Sequence, residues 1–472
     1  MKILKNYIYN MSYQVLFLIV PLITMPYISR ALGPEGLGTY SYTNSIMSYF
    51  VLLGNLGIAL YGSRQVAYVQ SDKNKRSEIF WEITILKLIT FSLSTTFLLI
   101  FLMIISEYRI LILAQGLTLL SVVFDVSWYF IGIEDFKKTV IRNVIVKLAT
   151  LVLIFMFVHT TSDLLLYILI MGGSTLIGNI ALVPFLFEQI NFPKIKRINV
   201  VHHLGPVILL FLPQVATQIY LVVNKTMIGK LDSIEAVGFF SSSDTLVRLV
   251  LTAVSSVSAV LMPRISNLIA QNDRKRIENY MKKSFEFINF LSLPMMCGLI
   301  AIAPKFVPLF LGEKFRIVSQ LIIIESPVII LISWSIAITN QYLIPAKMNK
   351  EYTISSVIGA VVNILMNIIL IKEWGVYGAI VATLLSEIFV IMYLIYSVRN
   401  VFNIKTMIFS NFWKYALSAI LMLIFILLIE GLLASSVYAV MVEIALGVVI
   451  YLGFLICIKA KILTNWRNFF DD

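Results

Sequence analysis

The chain alternates long apolar blocks with short polar stretches. Segments 98–105, 151–158 and 419–429 carry no Asp, Glu, Lys or Arg at all. Runs of about 18 or more mostly apolar residues have the length of membrane-spanning helices. The pattern predicts fourteen such spans, at 7–29, 38–62, 80–106, 110–133, 139–158, 163–188, 204–223, 236–262, 285–311, 316–341, 352–371, 376–398, 413–430 and 437–458. Each is about 20 residues or longer, enough for about 30 Å of hydrocarbon at about 1.5 Å per residue. The expected fold is an all-α integral membrane protein.

Composition agrees. Of 472 residues, 59% are hydrophobic and 13% charged, and mean hydropathy is +0.92. A soluble domain carries about 25% charged residues, so this chain is short of polar surface. Cys297 and Cys457 both lie in apolar stretches, which argues against a disulfide framework or a metal site. Lys2 and Lys5 precede the first apolar block. That block is long and no small-residue cleavage site follows, so it is expected to be an uncleaved first span.

The net charge of +12 would suggest nucleic acid in a soluble protein. Here the basic residues sit in short connections, and the rule that cytoplasmic loops are richer in Lys and Arg explains them better. With the N-terminus inside, 26 of the 37 basic residues fall on the inner side and 7 on the outer, with Lys87, Lys147, Arg248 and Lys305 within spans. Both termini are therefore expected in the cytoplasm.

The two halves resemble each other. Gly38-Thr39-Tyr40-Ser41 aligns with Gly238-Phe239-Phe240-Ser241, and Arg64 falls on Arg264. Gln70, Asp72, Lys73 and Lys75 then fall on Gln271, Asp273, Arg274 and Arg276. Pro21 and Pro213 interrupt the first span of each half, and Ser127-Trp128 matches Ser333-Trp334. Lys138 and Lys350 follow those pairs. The expected organisation is an N-lobe of six spans over 1–200, a parallel C-lobe of six over 201–400, and two added spans with a cytoplasmic tail over 401–472. Parallel repeats of this kind occur in two-lobed transporters that work by alternating access. Pro21, Pro26, Pro213, Pro294, Pro304 and Pro327 provide helix breaks, which membrane helices tolerate where neighbours or water satisfy the freed carbonyls. Proline is also simply commoner in membrane helices than in soluble ones.

Charges inside a membrane are costly and mark functional sites by default. Arg248 lies near mid-depth, and Lys87 and Lys147 lie about two turns from the cytoplasmic ends of their spans. Arg30 and Arg64 bracket the first helical hairpin. The candidates for an anion site are thus Arg30, Arg248, Lys147, Lys87 and Arg64, since cations, and Arg above all, suit phosphate. Candidates for ion coupling are Asp125, Asp244 and Glu325, with Glu387 and Glu443 as further acids within spans. Bland alternatives stand beside these. Asp244 and Arg248, four residues apart, could only neutralise each other. Lys87 and Lys147 could snorkel to headgroups, and Arg64 could be a topology charge.

The stretch Pro21-Leu-Ile-Thr-Met-Pro-Tyr-Ile-Ser-Arg-Ala-Leu-Gly33, followed by Gly36-Leu-Gly-Thr-Tyr-Ser-Tyr-Thr43 and Leu56-Gly-Ile-Ala-Leu-Tyr-Gly-Ser-Arg64, closely resembles the start of bacterial Wzx-type polysaccharide flippases. These belong to a superfamily that also holds lipid II flippases and multidrug and toxin extruders. The resemblance implies two six-helix lobes around a cationic lumen. It implies a cargo of oligosaccharide on undecaprenyl diphosphate, moved from the inner to the outer leaflet of the bacterial cytoplasmic membrane for capsule, O-antigen or teichoic acid synthesis. Basic lumen residues would hold the diphosphate, and spans 13 and 14 would help form a groove for the lipid tail. Arg30 matches a basic residue at the end of the first span in these families; the other candidates come from depth alone. Expected partners are the lipid-linked saccharide, membrane lipids, and a polysaccharide polymerase with other export machinery. No cofactor, metal or nucleic acid is expected.

Two other functions are set against this one. An ion-coupled multidrug or toxin exporter should have a mainly acidic site, whereas basic and acidic groups are mixed here. A membrane-embedded transferase needs a catalytic constellation at a membrane face. Only His159, His202 and His203 exist, and His202-His203 reads as a solvated or headgroup-level pair. No phosphate-cradling Gly-rich loop is present, so the chain is not expected to be an enzyme.

Overall fold

The computed structural model describes the backbone of residues 2–192, 199–271, 273–431 and 436–464. The side chains of Lys2, Lys5, Pro213 and Lys461, and the whole of Lys194, Lys196, Arg197 and Arg467, lie outside the described residues.

Every regular element among the described residues is helical. In chain order they are α1 (Lys2–Asn55), α2 (Ile58–Tyr68), α3 (Lys73–Ile104), α4 (Arg109–Phe124), α5 (Ser127–Gly132), α6 (Phe136–Phe157), α7 (Leu164–Ile180), α8 (Val183–Phe187), α9 (Val201–Leu231) and α10 (Ile234–Ala270). There follow α11 (Arg274–Leu311), α12 (Ile317–Glu325), α13 (Val328–Ile336), α14 (Asn349–Trp374), α15 (Val376–Val398), α16 (Ile404–Phe409), α17 (Phe412–Glu430), α18 (Val437–Cys457) and α19 (Lys461–Thr464). Eleven helical stretches among the described residues are long and apolar enough to cross a membrane, or twelve if α12 and α13, bent by 42°, count as one. The all-α membrane fold read from the sequence is the fold observed.

One of those stretches, Ile19–Tyr68, is 50 residues long. At about 1.5 Å per residue it measures about 75 Å, more than twice the hydrocarbon thickness. It is broken at Gly33, at φ 68° and ψ −180°, and again at Leu56 and Gly57, at φ 40° and 70°. The Gly33 conformation suits glycine because residues with a side chain rarely adopt it, although no neighbouring group lies within 4 Å of where a Cβ would stand. Pro34 follows and cannot donate to the preceding turn.

The chain divides into two compact units, 1–226 and 227–472, with the division inside α9. In the first unit, a core cluster joins Ile58 and Tyr61 of α2, Phe80 and Ile83 of α3, Trp128–Phe130 of α5 and Leu186 beside Ile190. Gly62 lets α2 approach α5 closely, since a Cβ there would come within 2.5 Å of the Trp128 ring. In the second unit, α17 and α18 pack on α11 through Cys297, Tyr415, Met422 and Tyr451. The outer faces remain apolar: Leu428, Met441 and Val449 are 73%, 62% and 67% exposed. Water would not tolerate such continuous surface, and acyl chains cover it without cost.

Candidate functional site

The polar chemistry collects where spans break. In the first unit, α4 ends at Phe124 with Asp125 as its extended cap, and α5 begins at Ser127. A broken helix leaves carbonyls that must find donors away from water. Lys87 of α3 supplies one: it is 3% exposed and its Nζ donates to the main-chain oxygen of Asp125 at 2.7 Å. An Asp125 carboxylate oxygen accepts from the Ser127 amide at 3.0 Å and from the Ser127 hydroxyl. Arg142 of α6 then bridges two helices. Its Nη2 donates to Ser127 Oγ at 3.1 Å and its Nη1 to Asn179 Oδ1 of α7 at 2.6 Å. Asn179 in turn donates to the Ser121 carbonyl at 2.8 Å. Two cations and one carboxylate therefore knit α3, α4, α5, α6 and α7 together.

The second unit has a counterpart at its own bent pair. Glu325 is the last residue of α12, just before the break, and is 1% exposed. Ser243 of α10 donates to its Oε2 at 2.5 Å. On the same helix Arg248 Nε meets Asp244 Oδ1 at 2.6 Å, with side chains 34% and 13% exposed. The structure thus gathers three candidates, Asp244, Arg248 and Glu325, onto the facing elements α10 and α12.

The remaining candidates lie on other elements. Arg30 is exposed on α1, three residues before Gly33, and its Nη1 donates to the Pro26 carbonyl at 2.9 Å. Arg64 is exposed on α2, and Lys147 is half-buried on α6. Glu387 is buried on α15. Glu443 of α18, fully buried, meets Lys305 of α11 at 2.7 Å, and Lys305 also donates to the Glu430 carbonyl. Near the other end of α11, Glu286 accepts from Asn411 at 2.6 Å and from Tyr415 at 3.0 Å. These two acids fasten α17 and α18 to α11.

Sequence reasoning missed several partners. Arg142 was counted with the other basic residues on the inner side, and Asn179 and Ser243 gave no signal, because an uncharged residue in an apolar span carries no depth cost to notice. Reading His202-His203 as a solvated pair holds for His202, which is exposed, but not for His203. His203 is 4% exposed, and its Nε2 meets Glu82 Oε2 at 2.7 Å. A neighbouring apolar cluster and a carboxylate 121 residues away withdraw that ring from solvent, and neither is visible in a local window.

A profile of the family described as "Polysaccharide biosynthesis protein" matches residues 3–269. A protein of Escherichia coli (strain K12) named "Putative O-antigen transporter" is 23% identical over 401 residues, 84% of this chain and 96% of that protein. Among solved structures, the lipid II flippase MurJ in an inward closed conformation superposes with a TM-score of 0.75 at 18% identity, covering 98% of this chain and 100% of the other. An inward-facing multidrug resistance MATE family transporter of the MOP superfamily superposes with a TM-score of 0.61 at 14% identity, covering 81% and 94%. At such identities the two superpositions speak for the fold alone.

Proposed function

Because the chain belongs to the polysaccharide biosynthesis protein family, we propose that it is a flippase for lipid-linked oligosaccharide. The cargo is an oligosaccharide unit on undecaprenyl diphosphate, destined for capsule, O-antigen or teichoic acid. It moves from the inner to the outer leaflet of a bacterial cytoplasmic membrane, through a chain of fourteen crossings with both termini inside. The observation that carries this reading is the match to the Escherichia coli relative, which extends over 96% of that protein rather than one segment.

The chemistry of the chain fits such a cargo. A diphosphate needs cations within a region that lacks water, and Arg binds two of its oxygens at once. Arg30 and Arg64, on helix surfaces, and the half-buried Lys147 supply positive charge at three points of the first unit. Arg248 adds a fourth whose charge is shared with Asp244. Lys87 acts differently. Its ammonium is engaged by the Asp125 carbonyl, so it positions the broken fourth span rather than meeting cargo. Asp125 and Glu325, at the two breaks, are placed to bias how those spans bend while the site opens to each membrane face in turn. A polysaccharide polymerase takes the unit from the outer leaflet.

The test is genetic and chemical. Deleting the chromosomal gene should abolish surface polysaccharide and accumulate the complete lipid-linked unit in the inner leaflet, and the wild-type chain should reverse both. Unchanged surface polysaccharide in the deletion strain would overturn the proposal.

A further inference from the structure

The first turn of α9, which carries the chain out of the first unit, is held by three side chains that the transport reading does not use. His203 Nδ1 lies 2.7 Å from the Tyr61 hydroxyl of α2. Its Nε2 lies 2.7 Å from Glu82 Oε2 of α3. Glu82 Oε1 accepts the Asn199 amide, just ahead of α9, at 2.7 Å. Both ring nitrogens are therefore engaged by partners 142 and 121 residues away in the chain. The side chains of His203 and Glu82 are only 5% and 12% exposed. Around them lie Ile58, Phe80, Ile83, Leu86 and Val207.

Among the described residues, the titratable groups around the ring are Tyr61 from α2, Glu82 from α3 and His202 on α9 itself, whose ring centroid is 5.7 Å away. Arg64 and Glu78 lie one helical turn from Tyr61 and Glu82. With His203 neutral, Nε2–H donates to Glu82 and Nδ1 accepts from the Tyr61 hydroxyl. Among the described residues, this leaves the Glu82 carboxylate beside apolar side chains with no cation in contact, which is costly. With His203 protonated, Nε2–H still donates to Glu82 and Nδ1–H donates to the Tyr61 oxygen, because a hydroxyl can serve as donor or acceptor. No contact is lost and the pair becomes electrically neutral. The peptide dipoles of α9 oppose a cation in its first turn, but a carboxylate at 2.7 Å is the stronger influence.

We infer that Tyr61, Glu82 and His203 form a proton-binding site that fastens the first turn of α9 to α2 and α3. Glu82's charge already assists the hydrogen bond from neutral His203, and with the proton bound the contact gains the attraction of a full ion pair in a site shielded from water. Loss of the proton weakens that contact and loosens the start of α9, so the fastening is tightest at low pH and relaxes as pH rises. The inference stands whatever the transported cargo is.

The chain has only three histidines, so the site is directly readable. The full-length protein, labelled with 15N-histidine in detergent micelles, is titrated from about pH 5 to about pH 9, the window in which imidazole ionises. His159→Gln, His202→Gln and His203→Gln assign the three signals. His203 should gain one proton on Nδ1, and Glu82→Gln should lower its proton affinity about tenfold or more, because the opposite charge is gone. Hydrogen exchange over residues 199–206, corrected for intrinsic rates, should show opening that rises as the proton leaves, and His203→Gln should remove that dependence. Three results overturn the inference: a His203 signal that does not titrate, one that titrates identically in Glu82→Gln, or opening that is independent of pH in the wild type.

Discussion

Asp72 and Asp273, which the sequence places at matching positions of the two halves, form the same local structure. Asp72 caps α3 by accepting from the amides of Asn74 and Lys75, and Asp273 caps α11 by accepting from the amide of Arg276. Each then meets the base three residues on, Lys75 at 3.9 Å and Arg276 at 3.3 Å. Those ion pairs are solvent-exposed and contribute little, so the cap is the shared stabilising element. Asp72→Ala and Asp273→Ala should each cost about 1 kcal/mol, while Asn at either position should cost a few tenths. Thermal unfolding of the four variants in one detergent checks this.

The pair formed by Lys305 and Glu443 predicts an asymmetry. Lys305→Met leaves a fully buried carboxylate without its cation and should cost about 3–5 kcal/mol. Adding Glu443→Leu removes the stranded charge and should restore most of that loss. Melting temperatures of the single and double variants decide it. An equally poor double variant would mean that packing at α11 and α18, not charge, holds the pair.

Arg142 makes two charged hydrogen bonds from one rigid guanidinium, to Ser127 and to Asn179. Lys cannot reproduce that fork. Arg142→Lys should therefore lose at least one of them, about 1.5–3 kcal/mol. Export should fall in proportion to the loss of folded protein, measured together by surface polysaccharide and membrane protein level.

Asp244 and Arg248 are in direct contact, so their effects should not add. Arg248→Ala should reduce export, and Asp244→Ala/Arg248→Ala should reduce it little further. If the double variant were far worse than either single one, Asp244 would have a role of its own beside Glu325.

Much of this was legible in the chain. Apolar runs gave the helices, and the offset between Asp72 and Asp273 marked them as matching positions, though not as caps. Asp125 and Glu325 stood out as acids in apolar surroundings, and each sits at a break. The partners were not legible, because they are fixed by packing across long separations. Lys87 stood out by its depth alone, and its hydrogen bond to the Asp125 carbonyl, left without a helical donor where α4 stops, could not be seen in the sequence. His203 looked solvated, and Glu82 of α3 draws it inside. Gly33 was visible only as part of a Gly-Pro pair, and its φ of 68° shows how one 50-residue stretch is divided.

In the proposed function, Arg30, Arg64 and Lys147 help to move a diphosphate-linked saccharide across the membrane. Purified protein in liposomes carrying undecaprenyl-diphosphate-linked oligosaccharide tests it most directly, with transfer read as the fraction of saccharide that becomes accessible to an external glycosidase. The wild type should transfer the saccharide and the triple Ala variant should lose about tenfold or more, the scale expected when charged hydrogen bonds to a phosphate are removed. Equal transfer by the triple variant, or no transfer of the saccharide alongside export of a cationic dye, would contradict it.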